Sequence, residues 1–411
     1  MQKSTTIPPL LILATYMGLY FFSQFHRTAI GPLAGEFMRE FGVSAFGVGV
    51  LTSSYFIIYG LLQPIYGVAI DNYGSNRVIL FTMPLYVVAC FLFAISPSFD
   101  MLIASRIVVA AAIASVYVAG LKATALSFKS ASYGKVVGIY TGWGYTSSLL
   151  GMIIPSVMLG QGLSWRQTFI GVAGASLIFY LFFVLFIARN VTEADVKSAS
   201  EPSMIRLKTL FSPHLILIYV TVLVAYGSYV GLVSWIPKYL YDVFGLERNI
   251  SGIVAAIPAA MMAIGSPIMG LLADRRGSWS RIYKFSHLLT TFLLAALLYT
   301  VIIGDVLLTT LSFSSAMLAL SGFTIWPAIL RKERGEDSLG LILSIVNTFA
   351  FLGAFAYPAL MGFVIDLFTP QMVVAGERIY GYDAYFWAFT LCFSTMVVST
   401  TLIFKWISGK G

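Results

Sequence analysis

GVAIDNYGSNR (Gly67–Arg77) and GLLADRRGSWSR (Gly270–Arg281) share one pattern: Gly-x-x-x-Asp-x-x-Gly-Ser, followed closely by a basic residue. Each copy separates two long apolar runs, so each reads as a tight turn between two helices. Gly74 and Gly277 open backbone angles closed to other residues. Gly67 and Gly270 are expected to let neighbouring helices approach closely. Asp71 and Asp274 fall at helix ends, where a basic side chain or a neighbouring helix can meet them. One copy alone is weak evidence. Two copies, one in each half of the chain, indicate an internal repeat.

The runs around these turns set the fold class. Of 411 residues, 59% are hydrophobic and 10% charged, against about 25% charged in a soluble protein. Most of the chain therefore has lipid as its solvent. Crossing a bilayer takes about 20 apolar residues, and twelve segments qualify: 9–34, 44–70, 77–96, 101–127, 134–159, 166–189, 213–241, 250–273, 282–304, 307–330, 338–366 and 383–407. The first runs too far for a signal peptide and reads as a retained span. NVTEADVKSASEPSMIRLKTL (Asn190–Leu210) is the most polar stretch and lies between the sixth and seventh segments. The expected architecture is all-α and integral to the membrane. It has a six-helix half over 1–189, a cytoplasmic linker over 190–212 and a second six-helix half over 213–411.

A net charge of +8 would suggest nucleic acid in a soluble chain. Here the basic residues collect in alternate loops, as cytoplasmic loops do. Arg77, Lys129, Arg206, Lys208, Arg275, Arg276, Arg281 and Arg331 fall on one side, and Arg39, Arg166, Lys238, Arg248 and Arg378 on the other. Nucleic acid is excluded as a partner. Both termini are expected in the cytoplasm of a prokaryotic cell, with the chain in the inner membrane. Cys90 and Cys392 lie in apolar runs with neither disulfide nor metal-ligand spacing. No cofactor or metal is expected, and the chain is expected to be a monomer.

Twelve spans in two halves, a polar central loop and the turn motif in both halves together resemble the major facilitator superfamily over essentially the whole chain. In that family a basic residue usually follows the motif's Asp. Asn72 departs from this and Arg275 keeps it. The resemblance implies a conformational latch in which Asp71, Arg77, Asp274 and Arg281, with the motif glycines, make contacts in one state and release them in the other. SWIPKYL (Ser234–Leu240) also resembles a family sequence at the end of the seventh span. Arg106 resembles the family's fourth-span Arg, although Ala110 stands where a Gly is usual. GIYTGWGYTSSLLGMIIP (Gly138–Pro155) lacks the Gly-Pro-x-x-Gly-Gly pattern of drug–proton antiporters, which argues against drug efflux.

The charged groups inside the expected spans are Arg27, Arg106 and Lys122, all basic, with no Asp or Glu mid-span. A charge in hydrocarbon costs roughly 3 kcal/mol or more, so these residues need a wet path or a partner. A cavity lined by them would concentrate anions. Tyr16, Tyr20, Gln24 and Arg27 fall on one stripe of the first helix at 3.6 residues per turn. Arg offers a planar fork that suits carboxylate or phosphate. In the organophosphate and organic-anion carriers that the chain resembles, a first-helix Arg binds the anionic group. The competing reading has Arg27 reach outward to headgroups.

His26 lies about 100° around the helix from Arg27 and is either a titrating group or a packed structural one. Arg106 and Tyr117 share a face of the fourth span. Lys122 points elsewhere, either snorkelling or contacting substrate. LKATALSF (Leu121–Phe128) is similar to a Lys-bearing segment of permeases for small carboxylates. Trp143, Tyr226, Tyr229 and Asn347 are further candidates for the substrate path, each with packing as its alternative.

The function expected is alternating-access transport of a small organic anion or carboxylate-bearing solute, with Arg27 as its main contact. Uptake of one negative charge against an inside-negative potential costs about 2.3 kcal/mol per 100 mV, so a proton or a counter-anion is an expected partner. The alternatives are a neutral or zwitterionic solute such as a sugar, amino acid or dipeptide, export of a drug or metabolite, and a sensor that does not transport. Nothing in the sequence supports an enzyme.

Overall fold

The computed structural model describes residues 7–128, 130–188, 212–276, 278–327, 329–330 and 339–408. Nearly all of them are helical. The chain forms two compact units. The first holds residues 1–29 and 58–202, the second residues 30–57 and 203–411. Most of the linker expected over 190–212, together with Gly277, lies outside the described residues.

The first unit contains α1 (Pro9–Thr28), the second part of α3 (Ala45–Tyr73), α4 (Ser75–Ala94), α5 (Phe99–Ser127), α6 (Ser130–Gly160) and α7 (Trp165–Phe182), which continues as a π-helix over Phe183–Ala188. Side chains near the helix ends satisfy backbone groups that the helices leave open. The Ser98 side chain accepts from the Met101 N–H, and Ser164 with Gln167 forms a capping box.

The second unit contains α2 (Ala34–Phe41), the first part of α3, α8 (Pro213–Phe244), α9 (Arg248–Arg275), α10 (Trp279–Ile303), α11 (Val306–Leu320), α12 (Leu339–Asp366) and α13 (Tyr382–Ser408). Between α12 and α13 stand two short antiparallel strands, β1 (Met372–Val374) and β2 (Glu377–Ile379). Ala375 and Gly376, both at positive φ, make the two-residue turn, as tight hairpins require.

Among the described residues, ten helical segments are long and apolar enough to cross a membrane. The other two long helices, α1 and α6, carry much of the candidate site. Helix pairing repeats along the chain. In the first unit α1 packs on α6, α4 on α5 and α4 on α7, and in the second α8 packs on α12, α10 on α11 and α10 on α13.

Two local expectations need correction. The first span was expected to run to residue 34, but α1 ends at Thr28 and a 3-10 turn over Gly31–Leu33 leads into the separate helix α2. Pro32 has no N–H to continue the helix. Close approach was expected at Gly67 and Gly270, yet a Cβ at either would meet nothing within 4 Å. The tight approaches occur elsewhere, for example at Gly31, where a Cβ would lie 2.9 Å from the Ser234 carbonyl oxygen. No acid was expected mid-span, and the acids near the span ends and in the connections keep to that, although three of them are buried. Asp242 lies within α8 and Glu36 and Glu377 lie outside the spans, and all three side chains are buried. Gly74 does adopt the positive φ that its turn demands, at 83°.

Candidate functional site

The polar stripe of α1 is built as its spacing dictates. Tyr16 is fully buried, and its hydroxyl donates to Asn76 Oδ1 at 2.9 Å. Gln24 Nε2 donates to the Tyr20 hydroxyl, and Ser148 of α6 donates to Gln24 Oε1 at 3.1 Å. The Gln24 amide is thus held from two helices. Arg27, one turn further on, is half-buried, and its guanidinium carbon lies 4.4 Å from the centre of the Tyr59 ring on α3. A cation over an aromatic face is stabilised by the ring quadrupole, by about 0.5–2 kcal/mol or more. The fork of Arg27 is therefore positioned before any ligand arrives.

Three tyrosines stand beside this stripe. The Tyr20 and Tyr140 rings stack at 4.9 Å, Tyr117 and Tyr140 at 6.0 Å, and Tyr20 lies 5.3 Å from Tyr117. Tyr140 donates to the Val116 carbonyl. Glycine makes the stack possible: a Cβ at Gly144 would lie 2.6 Å from Tyr20 Cε1, and one at Gly120 would collide with the Tyr140 hydroxyl. Trp143 donates its indole N–H to the Met17 carbonyl at 2.7 Å and joins α6 to α1.

The remaining first-unit candidates point elsewhere. His26 is fully buried, boxed by Tyr86, Phe93 and Phe169 at ring distances of 5.6, 6.2 and 5.2 Å. Arg106 is also fully buried, and its Nη2 donates to the His26 carbonyl at 3.2 Å. Lys122 pairs with Asp71 at 2.9 Å and donates to the Ile70 carbonyl at 2.8 Å. A cation at the last turn of α3 is favoured by the helix dipole. The motif carboxylate thus meets a basic side chain on a neighbouring helix, while Arg77 is exposed. The acids in this unit's helices, Asp71 and Asp100, both sit at helix ends.

In the second unit, Tyr226 and Tyr229 have ring centres 6.0 Å apart, and Tyr226 also contacts Phe323 and Phe351, each at 5.9 Å. Asn347 is half-buried in α12, and Asp274 and Arg281 are exposed around their turn.

Sequence reasoning missed Tyr59, whose place opposite Arg27 depends on how α1 meets α3. It also missed an ion-pair chain in the second unit. Arg39 and Glu36 pair on α2. Glu36 pairs at 2.7 Å with Arg248, which pairs with Glu377. Glu377 lies 3.1 Å from Lys238, which pairs with Asp242. The Lys238–Asp242 spacing of four on one helix was the available signal.

Comparison with known proteins completes the picture. The family model described as Major Facilitator Superfamily matches residues 16–358. An uncharacterised Bacillus subtilis transporter, YybO, is 22% identical over 391 residues, covering 87% of this chain and 88% of its own. The Bacillus subtilis hexuronate transporter is 22% identical over 373 residues, covering 85% and 87%. A probable sulfoacetate transporter of Cupriavidus necator is 22% identical over 282 residues, covering 64% and 65%. Among solved structures, a bacterial homologue of the human lysosomal transporter Spinster, in an inward-facing and unoccupied conformation, superposes with a TM-score of 0.82 at 15% identity, covering 99% of this chain and 98% of that one. The shared fold, the helix-pairing repeat and the extent of the family match agree: this multi-pass membrane protein is a transporter of a small molecule, not an enzyme, and belongs to the Major Facilitator Superfamily.

Proposed function

We propose that the chain carries a small organic anion, a carboxylate or sulfonate, and that Arg27 is its principal contact. The observation that carries this reading is the half-buried Arg27 guanidinium, held over Tyr59 at 4.4 Å beside Tyr20 and the Gln24 amide. A planar cation fixed by stacking loses little freedom when it binds an oxyanion bidentately. Arg27 and Arg106 lie within the helices of the first unit, whose own acids are confined to helix ends, so charge composition there favours a negative ligand. Relatives named for hexuronate and sulfoacetate fit the same charge class. The substrate residues of the first unit are Tyr20, Gln24, Arg27, Tyr117 and Trp143, and Tyr226, Tyr229 and Asn347 are the candidates within the second unit. His26, Arg106 and Lys122 orient the helices.

On this reading the protein works as a monomer in the inner membrane of a prokaryotic cell, with both termini cytoplasmic. Transport is by alternating access and uses a proton or a counter-anion against the membrane potential. The test is flux. Purified protein in liposomes is loaded with unlabelled glucuronate, sulfoacetate, lactate or glucose, and exchange for the labelled solute is followed. Exchange of an anion that is lost in Arg27→Ala supports the reading. Exchange of glucose alone, unchanged in Arg27→Ala, refutes it.

A further inference from the structure

The two strands of the hairpin between α12 and α13 differ in burial. On β2, Glu377 and Ile379 are buried and Arg378 is half-buried. This strand is held in place by its neighbours. Glu377 pairs with Arg248 of α9 and lies 3.1 Å from Lys238 of α8, whose Nζ donates to the Arg378 carbonyl at 2.9 Å. Just beyond β2, the Tyr380 N–H donates to Asp242 at 3.2 Å. On β1, Met372, Val373 and Val374 are 56%, 62% and 52% exposed. Side chains alternate along a strand, so β1 is exposed on both faces, and β2 pairs with only one of its edges. In water, an apolar strand bare on two faces and one edge invites aggregation.

The surroundings of β1 point to what covers it. The segments on either side, Ile345–Asp366 and Tyr382–Phe404, are long and apolar enough to cross a membrane, so the hairpin joins two span ends at the bilayer surface. The last turns of α12 expose Leu360 and Phe363, and exposed Leu367 follows at once. These three fall within about 60° around the helix axis. The Phe363 ring lies 6.3 Å from that of Phe46, which is also exposed, at the start of α3. Past the hairpin, α13 exposes Tyr382 and Trp387, residue types that mark the headgroup level of a span. One exposed apolar surface thus leads along α12 to the hairpin and on to α13. The headgroup layer outside the hydrocarbon is about 5–7 Å thick, and a strand takes up about 4.8 Å beside its neighbour. Headgroups and water in that layer can satisfy the open backbone edge of β1, which hydrocarbon cannot. A second copy of the chain fits less well, because three residues of edge offer few backbone bonds for strand addition.

We propose that β1 is a membrane-surface anchor: Met372, Val373 and Val374 enter the boundary between headgroups and acyl chains, free edge first, in the leaflet that receives the end of α12 and the start of α13. Through β2 and Glu377 the anchor is tied to α8 and α9. It works whatever solute the protein carries, and its test needs no substrate.

Val373 and Val374 point to opposite faces of β1, so a probe at each reports on both. The two native cysteines are buried. Val373→Cys and Val374→Cys are labelled separately with a nitrobenzoxadiazole dye, and the full chain is reconstituted in phosphatidylcholine–phosphatidylglycerol liposomes. Glu247→Cys is the reference: Glu247 is an exposed acid that opens α9 without a side-chain capping bond. Quenching is measured with phosphatidylcholine spin-labelled near the carbonyl end of its acyl chain, and separately with iodide in the water. The expected result is lipid quenching at both strand positions at least about twofold stronger than at Glu247, with iodide quenching weaker by a similar factor, as an interfacial segment requires. Quenching like that of Glu247 at either strand position overturns the proposal. Protection from both quenchers, the mark of cover by protein such as a second copy, overturns it as well.

Discussion

The surroundings of Arg27 and the Glu36–Asp242 chain both hold basic side chains in a membrane protein, yet their immediate partners differ. Arg27 is held by an aromatic face and has polar aromatic neighbours. Arg248 and Lys238 alternate with carboxylates in a charge-balanced row. A buried charge whose partner is supplied by the chain itself fixes structure, and removing one partner leaves the other stranded. A cation stacked on an aromatic face is oriented by that ring. The first arrangement suits a joint and the second suits a binding site.

The sharpest way to break this contrast is to strip one charge from each region. Lys238→Ala should destabilise the protein most, by about 3–5 kcal/mol, because Asp242 and Glu377 are left buried with less compensation. Thermal unfolding in detergent measures it. Arg27→Ala should cost less stability, about 0.5–2 kcal/mol for the lost Tyr59 contact, and weaken anion binding roughly 10–100-fold, the worth of a charged hydrogen-bonding group. Titration with the exchanged anion reads this directly, and Arg27→Lys should recover only part of the affinity. If Arg27→Ala instead unfolds the protein and Lys238→Ala does not, the two regions have been assigned the wrong way round.

Smaller effects sharpen the picture. Gly144→Ala pushes a methyl group into Tyr20 and should cost about 1–3 kcal/mol of stability by overpacking, with a matching fall in anion affinity as the tyrosine stack is displaced. Lys122→Met removes a pair whose Asp71 side chain is 61% exposed. Solvent screens that pair, so stability should change by less than about 1 kcal/mol. A large loss of anion binding in Lys122→Met would return Lys122 to the substrate set.

Much of the fold was legible because lipid imposes a length and a composition on every span. The turn copies at Gly67–Arg77 and Gly270–Arg281 suggest an internal repeat, and the Gly74 backbone angle follows directly from its turn. Helix periodicity also placed Tyr16, Tyr20, Gln24 and Arg27 on one stripe. Periodicity on one helix does not say what faces it, so Tyr59 and Ser148 were invisible. For the same reason His26 and Arg106 read as candidates for the wet path, although α4, α5 and α7 enclose them. The ion-pair chain was missed for a different reason. Glu36 and Glu377 lie in segments that read as loops, where the sequence shows no partner for them. A short helix after Pro32 and a two-residue hairpin turn at Ala375–Gly376 bury both of them. Burial of loop charges depends on tertiary closure, which local patterns do not encode.

The central claim is that the ligand is recognised through its negative charge by Arg27. Matched pairs test it most directly: glucuronate against glucose and galacturonate against galactose, each added to purified protein while its melting temperature is recorded. A ligand at about 100 times its dissociation constant stabilises the folded state by about 2.7 kcal/mol. The account predicts that at least one acid raises the melting temperature, that its neutral counterpart does not, and that Arg27→Ala abolishes the difference. Equal stabilisation by acid and neutral sugar, unchanged in Arg27→Ala, would contradict it.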